Sequence, residues 1–324
     1  AGGFEIITNL QCPDDVFITR LQNEEDYEQK GWYNLRSGES VYPQFNQVFF
    51  RQDTVYALAG DKSGKYSLAG KKLESLPYST TGELAAPGHF IFLQNERRGV
   101  MNFNFQIVLL AIFDDLGLYE GGYMVRKGER TGFYDLKGIE IIPVQFEQVY
   151  LEHGITFFYV TKGKLYGTIG TSGNTLIPPE YARLETVDYG NFVAQKQGKW
   201  GLISRNGAVL LPFVYDKIER FYNQGKGQYL LLEIGKKRGW ADAKGRIILP
   251  VVYLAIIPGW AINIACKDGQ CKGYNKEGRV IIPENCLAPS NGLGFILAIK
   301  NGRYGMYSKM GGLLIPFEYD TLMW

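Results

Sequence analysis

Apolar residues in this chain come in short runs punctuated by Gly, Asn, Asp and Pro, and no long stretch combines 3.6-residue periodicity with capping residues. That pattern predicts strands and turns. Its clearest copy runs from Gly198 to Ile218. Leu202 to Ser204 is an apolar-rich run after Trp200-Gly201, and Asn206-Gly207 separates it from Ala208 to Leu211. An Asn-Gly pair between strand-like runs predicts a two-residue primed turn, which needs φ > 0 at its centre. Pro212 is expected to end the second strand, because it has no N–H to give to a ladder. Tyr215-Asp216 follow as a turn and anchor.

The unit repeats. A large or basic residue, Gly, a short strand, a Gly-containing turn, four strand residues and Pro recur along the chain. The copies are Gly132, Gly138 and Pro143; Gly167, Gly173 and Pro178; Gly239, Gly245 and Pro250; and Gly305, Gly311 and Pro316. Gly273, Gly278 and Pro283 form a copy one residue shorter. Worn copies lead to Pro43, Pro77 and Leu110. The reading is a single array of nine repeats after a lead-in of residues 1–12. Their approximate bounds are 13–50, 51–84, 85–118, 119–152, 153–187, 188–221, 222–257, 258–290 and 291–324.

Each repeat opens with a further strand, such as Phe157 to Val160, Phe192 to Ala194 or Phe295 to Ile299. The expected fold is therefore all-β, with units of about 34 residues, each a three-stranded antiparallel meander. Propeller blades usually take about 40 to 45 residues, and rings about four to eight blades. Nine shorter units favour an open solenoid or superhelix, with a closed propeller-like ring as the alternative.

Gly198-Lys199-Trp200-Gly201, followed by Gly207, Pro212 and Tyr215-Asp216, resembles the bacterial WG-repeat (KWG) family. The likeness extends over nearly the whole chain, although Trp keeps its place only at Trp200 and, shifted, at Trp32. The resemblance implies a β-rich array, often exported or membrane-associated, that binds other molecules. The family motif contains no catalytic residues, so none is carried over.

Composition narrows the choice of partner. The chain has 35 basic and 33 acidic residues, a net charge of +2, which gives no bulk signal for nucleic acid. No apolar run approaches the length of about 18 residues expected of a membrane span. The sequence opens Ala-Gly-Gly without Met, as expected of a mature form from which a signal segment has been removed. Cys266 and Cys271 flank Lys267 to Gln270, an expected hairpin tip, and face each other as either a disulfide or two free thiols. A disulfide fits an exported protein in the periplasm, cell envelope or extracellular space. Cys286 stands where other repeats place Tyr and reads as core.

Candidate chemistry is sparse. Gly60 to Lys65 looks like a shortened phosphate loop, but no Ser or Thr follows its Lys and no helix follows the segment. His89 and His153 are the two His, and each reads as a structural or solvated residue. The sequence points to no cofactor, no metal site and no enzyme. One pattern is spatial: basic residues gather at the tip after each opening strand. Arg98, Arg130, Lys164, Lys199, Arg238 and Arg303 represent a candidate binding edge that meets an acidic partner. Acidic residues such as Asp114, Glu147, Glu180, Asp216 and Asp320 are expected at the opposite corner. The leading expectation is a non-enzymatic, protein-binding scaffold. The alternative is a carbohydrate or cell-wall binder with exposed aromatic rows, motivated by 22 Tyr and 5 Trp. The open array predicts a maximum dimension in small-angle scattering well beyond that of a compact globule of this mass; a compact disc indicates the ring.

Overall fold

The computed structural model describes residues 5–7, 15–22, 28–60, 63–76, 78–86, 88–151, 156–187, 190–222, 228–259, 262–286 and 295–322. These residues form nine antiparallel four-stranded sheets in tandem, and no sheet closes on itself as a barrel. The sheets, numbered 1 to 9, span 5–45, 47–75, 79–113, 115–146, 148–181, 183–215, 217–253, 255–282 and 285–319. In every sheet the strands hydrogen-bond in chain order, first to fourth. The tandem all-β array expected from the sequence is present, with four strands per unit where the sequence reading had three. The added strand is the first. It begins two to four residues after the end of the preceding fourth strand, as Lys217–Tyr222 does after Tyr215. The sheets are therefore phased differently from the expected repeat bounds. The chain divides into two compact units, one of 1–162 with 169–174 and one of 163–168 with 175–324. Sheets 1–4 lie wholly in the first and sheets 6–9 wholly in the second.

Two kinds of turn alternate. In sheets 3 to 9 the turn between the second and third strands has two residues. Gln197 and Gly198 have φ of 52° and 78°, Asp268 and Gly269 52° and 76°, Asn301 and Gly302 51° and 76°. These are the primed turns whose twist suits a hairpin. The pair Asn206-Gly207 lies instead between the third and fourth strands, and only Gly207 has positive φ, at 79°. Gly207 N–H donates to Ser204 O at 2.9 Å, and Ser204 N–H to Ala208 O at 2.8 Å. The loop is thus one residue longer than the primed turn expected there. Its first residue supplies a side-chain acceptor: Asp135 Oδ1 accepts from the N–H groups of Lys137 and Ile139 at 2.9 and 2.8 Å. Asn34, Asn275 and Ser308 act similarly in their sheets. Short polar side chains capture turn amides in this way and so fix where the strand stops.

The motif glycine serves packing rather than a turn. Trp200 pairs with Tyr215 and Leu202 with Leu211, so Gly201 alone faces Pro212, Phe213 and Val214. Sheets 1, 3, 4, 7 and 9 repeat this bulge, opposite Gly31, Gly99, Gly132, Gly239 and Gly305. The bulge brings the fourth-strand backbone against the glycine. A Cβ on Gly201 would lie 2.9 Å from Leu211 O, and one on Gly31 would lie 2.2 Å from Val41 O. Pro212 lies inside strand Val209–Tyr215 and does not end it. The fourth strand is a sheet edge, and the bulge has already broken the ladder there, so the missing N–H costs little. Gly and Pro at fixed spacing therefore mark two sides of one bulge.

Hydrophobic cores lie between successive sheets. Leu202, Leu211 and Tyr215 of sheet 6 pack with Ile218, Leu230, Leu232 and Ala241 of sheet 7. Trp240 and Leu249 of sheet 7 pack with Ile256 and Ala265 of sheet 8, and Ile264 and Ile282 of sheet 8 with Ile296 and Ala298 of sheet 9. In the first unit, Trp32 and Phe45 meet Val55 and Tyr66, and Phe133 and Ile142 meet Phe158 and Val160. Such stacking is nearest-neighbour stabilisation, as in other repeat folds. Gly31→Ala is expected to cost roughly 2–4 kcal/mol, because its Cβ meets only backbone. Gly128→Asn, at φ 60° with nothing within 4 Å, should change stability by less than about 0.5 kcal/mol. Urea unfolding of both variants measures the contrast.

Candidate functional site

The basic tips and the acidic corners lie at the same end of each sheet. A meander turns at one end between strands two and three and returns to that end at the close of strand four, so tip and corner become neighbours. Ion pairs follow. Lys199 Nζ lies 2.5 Å from Asp216 Oδ1, Arg303 2.7 Å from Asp320, and Arg98 3.6 Å from Asp115. Arg130 bonds Glu147, and Lys196 lies 3.0 Å from Glu180. Arg238 pairs within its own hairpin, 3.2 Å from Glu233. The expected separation of acidic residues to an opposite corner is thus corrected: the strand after the Gly-containing turn runs back toward the tip, so the corner at its end lies beside the tip. Among the six representatives of the candidate edge, Lys164 differs. It lines a shallow groove with Tyr166, Arg183 and Glu185.

The corner aspartate also ties one sheet to the next. Asp216 Oδ2 accepts from Gly235 N–H of the sheet 7 tip at 2.6 Å, while Oδ1 holds Lys199 of sheet 6. Together these bonds hold its carboxyl below the usual range. Asp114 repeats the arrangement with Arg97 and with Gly128 N–H at 2.5 Å. Glu284 is the buried counterpart, with its side chain 10% exposed. Burial opposes its ionisation, yet hydrogen bonds from Tyr307, its own backbone N–H and Lys300 outweigh that and lower its pKa. Tyr307 Oη donates to Glu284 Oε2 at 2.6 Å, and Lys300 Nζ lies 3.2 Å from Oε1.

A second feature runs along the first strands of the second unit. Glu185, Ile218, Glu219, Arg220, Phe221, Ile256 and Pro258 line a groove of about 580 Å³, with Leu231 and Arg238 behind them. They come from sheets 6, 7 and 8 in succession. Arg220 sets the groove's shape by donating to Thr186 O at 2.8 Å and pairing with Glu185 at 2.8 Å. The first-strand edge has no bulge and no proline at Arg183–Thr186, Lys217–Tyr222 or Ala255–Ile257, whereas the fourth-strand edge has both. The sequence reading missed this groove because it left the first strand out of the unit.

Cys266 and Cys271 are directly paired across the second and third strands of sheet 8, with Cα atoms 4.0 Å apart, and are joined as a disulfide. Cys286 is buried, and burial pushes its thiol up to about 11. His89 is lowered by burial, and its ring lies edge-on to Tyr123. His153, Cys12, Asp61 and Lys62 lie outside the described residues. Ser63 of the phosphate-loop-like segment is buried, and its Oγ accepts from Ala59 N–H at 2.8 Å. Among the described residues, no group of three metal-ligating side chains converges and no helix is long and apolar enough to cross a membrane.

These features define a tandem antiparallel β-sheet repeat protein. More narrowly, residues 166–200 and 200–229 match the signature described as WG containing repeat. No curated protein matches the chain. Superposition finds several solved structures at low similarity. One titled as a eukaryotic initiation factor has 13% identity and TM-score 0.30, covering 94% of this chain and 96% of its own. Hsv2 of Kluyvelomyces marxianus has 8% identity and TM-score 0.27, covering 95% and 96%. The extracellular domain of BT4673 from B. thetaiotaomicron has 8% identity and TM-score 0.24, covering 95% of this chain and 60% of its own. Likenesses this low carry no functional argument.

Glu284→Gln is expected to cost about 1–2 kcal/mol at neutral pH by removing the charge from a largely buried acceptor. A carboxyl held low contributes fully above the unfolded Glu value of about 4.3, and its contribution disappears as pH falls through the folded value. The gap between wild type and variant in urea midpoints should therefore close on acidification.

Proposed function

We propose that this chain is a non-enzymatic binding module for another protein, in an exported or cell-envelope setting. The groove along sheets 6 to 8 is the observation that supports this most. Equivalent positions on successive repeats combine into one extended surface, the usual way such arrays bind. Phe221 and Pro258, over a floor of the core residues Ile218 and Ile256, are flanked by charges of both signs, which suits an extended polypeptide segment. The ion-paired tips argue against a plain basic stripe, so an acidic partner is not required. The disulfide between Cys266 and Cys271 favours an oxidising compartment.

The polysaccharide reading calls for exposed aromatic rows. Trp32 and Trp240 are fully buried, and Trp200 packs partly buried beside the core between sheets 6 and 7. Among the described residues, the exposed tyrosines Tyr33, Tyr42 and Tyr319 belong to sheets 1 and 9 and do not recur from sheet to sheet. The rings of Trp32, Trp200 and Trp240 serve packing between repeats.

A peptide array probed with the full chain, followed by calorimetric titration of the hits, tests the proposal. Phe221→Ala and Arg220→Glu should each weaken binding about tenfold or more, as truncation of a central contact does. Hits that bind both variants like wild type, or turnover that depends on a named side chain, would reject it.

A further inference from the structure

The residue after the fourth strand makes the same backbone contact at five junctions. The N–H groups of Asp114, Glu147, Ala182, Asp216 and Leu254 each donate to a second-strand carbonyl of the next sheet, over 2.8–3.0 Å. The side chains at this corner differ. Asp114 pairs with Arg97, Glu147 with Arg130 and Asp216 with Lys199. Asp114 and Asp216 also accept from the first amide of the following tip, at Gly128 and Gly235. Beside Leu254, the groove under Tyr253 contains a carboxylate of its own, Asp268. Ala182 offers no carboxylate.

The consequence is local. Ala182 lies in a groove of about 460 Å³ with Lys164, Tyr166, Arg183, Leu184 and Glu185, all in the second compact unit. Lys164 and Arg183 have no ion-pair partner among the described residues. Glu185 is engaged by Arg220 at 2.8 Å. The first amide of the next tip, at Gln197, has no acceptor among the described residues. Two cations therefore line the place that a carboxylate fills at Asp114, Glu147 and Asp216, and the amide such a group accepts from is open. Like charges in one concavity repel, and an added carboxylate relieves that repulsion while gaining charge-assisted hydrogen bonds.

We propose that this groove binds a carboxylate side chain, an Asp or Glu, of an extended polypeptide. The inference rests on the polypeptide reading above and adds a requirement to it. The groove shares Glu185 with the larger groove over sheets 6 to 8, so one segment can lay apolar side chains against Phe221 and Pro258 and an acidic one beside Ala182. The requirement is for one acid rather than an acidic surface, because the tips at Arg130, Lys199 and Arg303 already hold carboxylates of this chain.

NMR titration of the full chain tests it, with end-blocked tetraglutamate as the probe and tetraglutamine as the control. Tetraglutamate should shift the amide signals of Ala182, Arg183 and Gln197, and tetraglutamine should not. Ala182→Asp restores the corner carboxylate at a backbone position whose equivalents include Asp114 and Asp216. Its urea midpoint should equal or exceed that of wild type, while its affinity for tetraglutamate falls about tenfold or more. Lys164→Gln combined with Arg183→Gln, both exposed, should weaken binding as much. The titration needs no ligand from the peptide array. Array ligands without tetraglutamate binding overturn the acidic requirement alone, whereas tetraglutamate binding without array ligands rejects the proposed function and leaves the site. Equal affinity in Ala182→Asp, or displacement of tetraglutamate by inorganic phosphate at equal concentration, would also overturn the proposal.

Discussion

A four-stranded sheet of short strands has two faces and cannot bury either by itself. Everything in this chain depends on how each sheet lends a face to the next, and the critical contact is glycine against backbone. At Gly201 the missing side chain admits a bulged fourth strand. At Gly245 it admits the preceding sheet. The first contact shapes a unit and the second stacks units. Replacing either glycine acts by steric overlap in a dense interior, where neighbouring backbone has little room to yield.

Polar chemistry follows the same economy. Asp216 serves a lysine of its own sheet and an amide of the next tip, so one carboxylate closes two loops. Glu284, with its side chain largely buried, instead binds two side chains of the following sheet, Lys300 and Tyr307, and its proton affinity therefore bears on stability. Much of the charge that looks available for recognition in the sequence is engaged in holding repeats together. The surface left for recognition is the first-strand side, where edges are neither bulged nor interrupted by proline.

The sequence by itself determined the strand content, the repeat and the places of the special glycines. Each of these is local: turn residues, apolar runs and the Gly-to-Pro interval act within one hairpin. Asn206-Gly207 shows the limit of such reasoning. The pair does mark a turn, but the primed two-residue turns lie at Gln197-Gly198 and its equivalents, because the bulge beyond Gly207 changes the loop length. The pairing of Cys266 with Cys271 was legible as a geometry, since both flank one tip. Tertiary structure alone decided the fourth strand, the meeting of acidic corners with basic tips, and the groove of Ile218, Phe221 and Ile256. Each of these joins residues from different strands or sheets, and no local spacing encodes which face a neighbouring repeat will cover.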